Sequence, residues 1–272
     1  MFHNRSQRKF WTFDNEESMK LRYEPNRKIL QQNPRGSDSH EEDILFRHYE
    51  KRLLDFCNAF KPVIPKSVVG TAIMYFWRFY LNNSLMEYHP RTIMLTCTYL
   101  TQFVGDLQIL EYVLLLIQQL NFHLVVHTIY RLMEGLLIYL KTRHPLLENP
   151  ESLRKSADDF LTRATLTDTG LLFLPSEIAM TAILNSASQA GLSMESYLTE
   201  CMGLKEDKET LLKMYDAMIP IPTTRWKKHE FLKQEVNTYK MKLFLIYIFF
   251  YLSLVNIFLT LLELHCWLRA CK

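Results

Sequence analysis

Two histidines, a pair of aspartates and five cysteines are the residues of this 272-residue chain whose types and spacing could do chemistry. His123 and His127 lie four residues apart, a spacing that can bind a metal ion on one face of a helix. Asp158 and Asp159 are more typical of a solvated helix face than of a catalytic pair. The cysteines match no zinc motif, and the sequence has no Gly-rich phosphate loop, HExxH or GxSxG motif. We therefore expect no metal, no cofactor and no catalytic residue, and predict that the chain is not an enzyme.

The composition of the chain indicates its fold class and the kinds of partner that it can bind. Apolar residues make up 48% of the chain, enough for a sizeable core, and only 7 residues are glycine. Scarce turn residues favour long helices over a sandwich or barrel, because short strands need frequent turns. The net charge of +3 is well below that of a typical nucleic-acid binder, so we expect no direct nucleic-acid contact. The odd number of irregularly spaced cysteines predicts reduced thiols that fill the core.

Apolar residues recur every three or four positions along most of the chain, which predicts amphipathic helices. Asp14 is placed to cap the first helix, and residues 31–40 form the clearest loop. The main predicted helices cover residues 14–28, 41–60, 67–81, 90–103, 106–122, 130–143, 149–164 and 175–190. Short helices are predicted near residues 193–200 and 207–218. The helix 67–81 is apolar nearly all round, so we expect it in the middle of a bundle.

A short internal repeat divides these helices into two groups. The segment that begins at Pro90 matches the segment that begins at Pro175, as P-x-x-I-x-[LM]-T. Each copy follows an amphipathic helix and a more buried one. Two units of several helices each predict a duplicated bundle, since a solenoid needs at least three short units. Chance similarity between two buried helices is the alternative interpretation of seven residues.

Several longer segments resemble the cyclin family. In the first predicted bundle these are Tyr49-Glu50-Lys51-Arg52-Leu53-Leu54, Lys66-Ser67-Val68-Val69-Gly70-Thr71-Ala72, Arg78-Phe79-Tyr80-Leu81-Asn82-Asn83-Ser84, Met86-Glu87-Tyr88-His89-Pro90-Arg91 and Leu115-Leu116-Ile117-Gln118-Gln119-Leu120-Asn121-Phe122-His123-Leu124. In the second they are Ala157-Asp158-Asp159-Phe160-Leu161 and Met194-Glu195-Ser196-Tyr197-Leu198. The opening Trp11-Thr12-Phe13 resembles the family's N-terminal helix. The resemblance covers about residues 1–218.

The resemblance implies an all-α fold of two tandem cyclin boxes, each a five-helix bundle. The boundaries that follow are an N-terminal helix and loop over 1–40, a first box over 41–126, a second box over 127–218, a basic linker over 219–242 and a hydrophobic helix over 243–262. Only residues 101–108 join the third and fifth helices of the first box. That stretch can span the gap but is too short for a fourth helix, so we expect an incomplete box with apolar surface exposed or repacked.

The resemblance also implies a function without catalytic residues. A cyclin is the regulatory subunit of a cyclin-dependent protein kinase, and it holds the kinase helix that carries an essential glutamate in its active position. The segments quoted above are most similar to the cyclin of a kinase-activating complex, which binds the kinase with an assembly factor and also serves the transcription factor H complex. The expected location is therefore the nucleus.

The sequence differs from the family pattern at two positions where cyclins of this kind contact the kinase. The family's lysine near the end of the third helix is missing, because Leu100 is followed by residues that resemble a segment beyond the next loop. The family's glutamate in the fifth helix is replaced by Val113, and Glu111 would face the other way on a helix. The expected kinase-contact residues are thus Leu100, Ile109 and Val113. We predict that the loss of both charges weakens activation.

The C-terminal segment departs from the family altogether. Leu243 to Leu262 contains no charged residue, and a helix of that length would be about 30 Å long, the thickness of a bilayer core. Five lysines precede the segment between residues 227 and 242, and two basic residues follow it. This asymmetry predicts a tail anchor that leaves the cyclin part in the cytosol. An alternative transcript end or unselected sequence could also produce such a run.

Three functional hypotheses follow from these observations. The first is a kinase regulatory subunit with weakened activation. The second is a membrane-anchored cyclin-fold adaptor without kinase activation, or a non-functional variant. The third is a transcription adaptor that touches nucleic acid, which the mild charge favours least.

Overall fold

A computed structural model describes residues 6–32, 39–102, 110–143 and 150–192 of the chain. Within these ranges the structure is helical and contains no strand. The helices are α1 (Ser6–Phe10), α2 (Asn15–Gln32), α3 (Ser39–Asn58), α4 (Lys66–Asn82), α5 (Pro90–Gln102), α6 (Leu110–Gln119), α7 (Ile129–Arg143), α8 (Arg154–Thr165), α9 (Thr169–Leu172) and α10 (Pro175–Gln189). A 3₁₀ turn, Pro150–Leu153, leads into α8. The prediction of an all-α fold is confirmed.

Helices α3 to α6 form the first bundle, in which α5 packs against α3, α4 and α6. Helix α4 was predicted to lie in the middle, and ten of its seventeen residues are buried. Helix α2 packs across α4, and its start is capped as predicted, since the Glu17 amide donates to Asp14 Oδ1 at 2.7 Å. Cys57 and Cys97 are buried free thiols, as expected of core residues.

Helices α7 to α10 form the second bundle, and α10 packs against both α7 and α8. The two copies of the repeat hold equivalent places, because Pro90 begins α5 and Pro175 begins α10. Ile93 and Ile178 are both fully buried. The repeat's threonines bond alike as well: each hydroxyl donates to the carbonyl one helical turn earlier, at 2.9 Å. The short sequence repeat therefore corresponds to a structural one.

The stretch that ends the first bundle differs from its prediction. Helix α6 stops at Gln119, and Asn121 and Phe122 take positive φ values of 49° and 59°. A left-handed pair ends a helix because its amides turn back to the last carbonyls, and here the Phe122 amide donates to Ile117 O at 3.0 Å. Residues 123–128 then run without helical structure into α7. His123 and His127 therefore do not share a helix face, so the metal-binding geometry that their spacing would allow on a helix does not form.

Part of the sequence interpretation falls outside the described ranges. The predicted short helices after residue 192, the basic linker and Leu243 to Leu262 all lie there. In the portion of the chain that the structure does describe, no helix is both long and apolar enough to cross a membrane.

Candidate functional site: the outer face of the first bundle

The candidate kinase-contact surface is built on α5 and α6. Buried Ile93, Met94 and Cys97 anchor α5 in the first bundle, while Leu116 and Leu120 anchor α6. These side chains recur at three- and four-residue spacing, so each helix turns one face inward, and α6 leaves Leu114 and Gln118 exposed on its other side. The arrangement brings the predicted contact residues onto neighbouring helices.

Leu100 and Val113 are placed where contact with a partner is feasible. Leu100 lies near the end of α5, is half-buried and packs against the core of the first bundle. Val113 is half-buried on α6, whereas Glu111 is exposed. The side chain of Glu111 is thus open to solvent while that of Val113 is partly covered, as expected for two residues that face different sides of a helix. Ile109 lies outside the described residues.

An apolar strip runs along the outer side of α6. It consists of Val113, Leu114 and Ile117, which lie three and four residues apart and so share one face. Leu114 is 63% exposed, and the other two are half-buried without belonging to the buried cores. The sequence reasoning found Val113 but missed Leu114 and Ile117. The signal was available, since α6 contains only three polar residues in ten.

The candidate kinase-contact surface on α5 and α6 carries few charged residues. Arg91 is the single charged residue of α5, and Glu111 is the single charged residue of α6. Arg91 stands at the first turn of α5, about 14 Å along the helix from Leu100. The end of α5 instead carries Thr101, whose hydroxyl donates to Cys97 O at 3.1 Å and to Thr98 O at 2.9 Å. The described part of the surface can therefore bind through apolar contact, not through paired charges.

The end of α6 is held by side chains from distant parts of the chain. Arg78 Nη1 donates to His123 O at 3.2 Å, and the Tyr75 hydroxyl donates to Leu124 O at 2.6 Å. Trp11 Nε1 donates to His123 Nδ1 at 3.1 Å, so that nitrogen acts as an acceptor and not as a metal ligand. Among the described residues there is no cluster of three or more groups that could hold a metal.

Arg78 is a wholly buried cation beside the end of α6. Its guanidinium lies over the Trp11 ring, 4.9 Å from the ring centre, and burial lowers its pKa to about 10. The side chain remains charged at neutral pH, and the carbonyl of His123 together with the aromatic face stabilises that charge. Arg78 is the one charged residue between Val68 and Leu81. A single charge in an otherwise apolar helix is the sequence feature that indicates a buried cation.

The N-terminal residues join the two bundles behind this surface. Gln7 Oε1 accepts from the His127 amide at 2.8 Å, and the Phe13 amide donates to Leu171 O at 2.9 Å. Lys66 of α4 pairs with Asp158 of α8 at 2.8 Å. Asp158 therefore takes part in an ion pair between the bundles. These contacts give the surface a fixed support.

A groove of about 600 Å³ opens where the bundles meet, between the start of α4 and the start of α7. Val68, Val126 and Leu132 supply its apolar wall, and Thr71 and Arg131 supply polar groups. A smaller, mostly apolar cavity of about 40 Å³ lies deeper between the bundles, close to the size of one water molecule. Neither feature contains an arrangement typical of catalysis.

Two connected helical bundles, each containing a helix that begins at the same proline motif and packs against the other helices of its bundle, are the arrangement of a cyclin fold. Comparison with known proteins agrees with this class. Residues 128–238 match the family model described as the cyclin C-terminal domain. A chain of the CAK complex from Chaetomium thermophilum has a TM-score of 0.74 at 19% identity, covering 89% of this chain and 87% of that one. A chain of the yeast TFIIK complex has a TM-score of 0.61 at 18% identity, covering 80% and 99%.

Sequence relatives narrow the class. Cyclin-H of Xenopus laevis is 55% identical over 258 residues, covering 80% of this chain and 78% of the relative. Cyclin-H1-1 of Arabidopsis thaliana is 30% identical over 200 residues, covering 65% of this chain and 59% of the relative. This chain belongs to the cyclin H family. It is thus a regulatory cyclin for a cyclin-dependent kinase and is not itself an enzyme.

Proposed function

We propose that this chain binds its kinase through the apolar strip of α6 together with Leu100 of α5, and that it activates the kinase weakly. The exposure of Leu114 carries the proposal, since a large apolar side chain open to solvent on a half-buried helix favours an interface. Apolar burial supplies affinity without orienting the bound helix. The family's lysine and glutamate would supply orientation, and neither is present.

The partners follow from the family. The similar solved structures are of the CAK complex and of the yeast TFIIK complex of Kin28, Ccl1 and Tfb3. We infer that this chain joins a cyclin-dependent kinase and an assembly factor, and that this assembly serves transcription in the nucleus as part of the transcription factor H complex. A division into boxes at residues 41–126 and 127–218 suits this role, and the family match that starts at residue 128 supports the boundary.

Substitution at the strip tests the contact. Full-length chain is co-expressed with the kinase and the assembly factor, and the recovered kinase is quantified. Leu114→Glu places a charge within the apolar contact, so we expect recovery to fall at least about tenfold, a cost of about 1.4 kcal/mol or more. The matched control is Ile138→Glu on α7, where a side chain that is 61% exposed lies on the other bundle. Equal recovery of wild type and Leu114→Glu would contradict the proposed contact.

A gain of function tests weak activation separately. Val113→Glu restores an acid at the family's position, which we expect to raise the phosphorylation rate per bound kinase. Glu111→Gln serves as the control for a charge change on the same helix. If Val113→Glu leaves the rate per bound kinase unchanged while binding persists, loss of the glutamate is not the cause of weak activation.

A further inference from the structure

We propose that the N-terminal strap, residues 7–13, is a latch between the two bundles that opens when His123 takes up a proton. The strap runs from Gln7 in α1 to Phe13 just before α2. It lies behind the candidate kinase surface, so its release would change the support of that surface. The proposal does not depend on whether the surface binds a kinase.

The strap is held near its start, in its middle and at its end. Gln7 Oε1 accepts from the His127 amide at 2.8 Å, and the Phe13 amide donates to Leu171 O at 2.9 Å. Trp11 lies between these two points, is 3% exposed and packs in the core of the first bundle. The strap thus contacts the connecting segment, the second bundle and the first bundle at the same time.

The imidazole of His123 makes the polar contact with the middle of the strap. The indole Nε1 of Trp11 carries a hydrogen and can only donate, so its 3.1 Å contact with His123 Nδ1 requires that Nδ1 carry no proton. The imidazole also stacks on Phe10, with 4.9 Å between ring centres and 21° between ring planes. A proton on Nδ1 would place one N–H group against another and break the contact.

A positive charge on His123 would also lie near two cations. Arg78 Nη1 of α4 donates to the backbone carbonyl of His123 at 3.2 Å, and its guanidinium lies over the indole ring. On the strap, the Lys9 nitrogen lies 5.1 Å from the centre of the Phe10 ring that stacks on the imidazole. Like charges repel one another, so protonation favours the arrangement in which the strap has moved away.

The acids of the elements around His123 have other places in the structure. Glu111, the one acid of α6, lies at the opposite end of that helix, and Asp14 caps the start of α2. Asp168, before α9, acts on the buried charges of α3. In the described part of the chain no carboxylate forms a hydrogen bond or an ion pair with His123 or Arg78.

The neutral titratable groups near His123 do not offset the added charge either. The Tyr75 hydroxyl of α4 donates to a backbone carbonyl at 2.6 Å, and burial raises the pKa of that phenol, so it stays neutral. His127 is the other histidine of the connecting segment, and its amide is bound by the strap. Histidine ordinarily gains its proton between about pH 5 and 8, so the latch opens as the medium becomes acidic.

The test follows the full chain from about pH 8 to pH 5. The chain is labelled with 5-fluorotryptophan, and the Trp11 resonance is assigned among the four tryptophans by its loss in Trp11→Phe. We expect this resonance to move as the pH falls. Amide hydrogen exchange of residues 7–13, corrected for its intrinsic dependence on pH, should lose protection about tenfold, the change that one pH unit of single-proton uptake can produce.

Three variants separate His123 from other titrating groups. His123→Gln keeps an oxygen that can accept from the indole but gains no proton, so its protection should be equal at both pH values. His40→Gln, at an exposed histidine of α3, should respond as wild type. Glu50→Gln removes the buried acid that accepts from Trp77, and the response of Trp11 should persist.

Several outcomes would overturn the proposal. These are a wild-type strap whose Trp11 resonance and protection do not change with pH, a full response in His123→Gln, or loss of the response in Glu50→Gln. Thermal melting checks that each variant is folded. If His123→Gln unfolds, Trp11→Phe replaces it in the exchange experiment, because phenylalanine has no N–H to meet Nδ1 and the dependence on pH should shrink. An unchanged dependence in Trp11→Phe would then contradict the proposed latch.

Discussion

The two bundles have a similar arrangement of helices, but their cores contain different types of residue. The core of the first bundle contains eight aromatic residues and lies beside the buried charges of Arg47, Glu50 and Arg78. The core of the second contains two aromatic residues and five alanines, and its helices approach through small side chains. The difference teaches that the same fold can be stabilised by large rings around buried ions or by close contact of small residues.

Charged residues of α2 and α3 lie close together in the first bundle. Arg22 and Arg47 both pair with Asp43, at 2.7 Å and 3.2 Å, and Trp77 Nε1 donates to Glu50 Oε1 at 2.6 Å. Burial raises the pKa of Glu50 to about 7, against the opposing effects of Arg47 and of the Trp77 hydrogen bond. Among the described residues of the second bundle the one buried charged residue is Asp168, before α9, and it acts on Glu50 and Arg47, so we expect the dependence on pH near neutrality to arise in the first bundle.

The largest effect is expected from removing a ring at the centre of the first bundle. Phe76 is wholly buried and contacts Phe46 and Tyr80, with ring centres 5.2 Å and 5.0 Å away. Phe76→Ala should lower the free energy of unfolding by about 3–5 kcal/mol, measured by urea denaturation. Ile183→Val in the second bundle is the comparison and should cost about 0.5–1.5 kcal/mol. Similar losses in both variants would break the contrast between the cores.

The next effect concerns the pH dependence of the first bundle. The folded pKa of Glu50, about 7, lies above the unfolded value of 4.5, so the folded chain binds more protons between these pH values. Its stabilising effect is full below pH 4.5 and is lost as the pH rises through 7, a change of about 3 kcal/mol. Glu50→Gln, followed by urea denaturation from pH 4.5 to 8, should remove this decline.

Glu111→Gln provides the control for that experiment, because Glu111 is exposed on the same bundle. It should retain the wild-type dependence on pH. If Glu50→Gln also retains it, Glu50 is not the titrating group, and the contrast in buried charge loses its functional meaning.

The smallest of the three effects is expected from enlarging a small residue in the second bundle. Ala182 is wholly buried on α10, which packs against α7 and α8. Ala182→Leu adds volume where the helices meet and should cost about 1–3 kcal/mol in thermal or urea denaturation. Ala190→Leu at the exposed end of α10 should change stability by less than about 0.5 kcal/mol. A neutral Ala182→Leu would show that the second core is loosely packed.

The candidate site was predictable only in part. Val113 could be identified because the family's glutamate lies seven residues before a leucine, and that leucine is Leu120 in this chain. Leu114 and Ile117 were missed because an apolar helix does not reveal from its sequence which of its sides meets the core.

The sequence by itself determined the helical class, the Asp14 cap, the repeated proline motif and the absence of catalytic motifs. These properties depend on residues within a few positions of one another, so periodicity and capping express them directly. The tertiary structure alone decided that His123 receives a hydrogen bond from Trp11, that Arg78 is buried beneath it and that Glu50 has a raised pKa. Each of these results depends on burial and on partners far away along the chain, which local patterns do not specify.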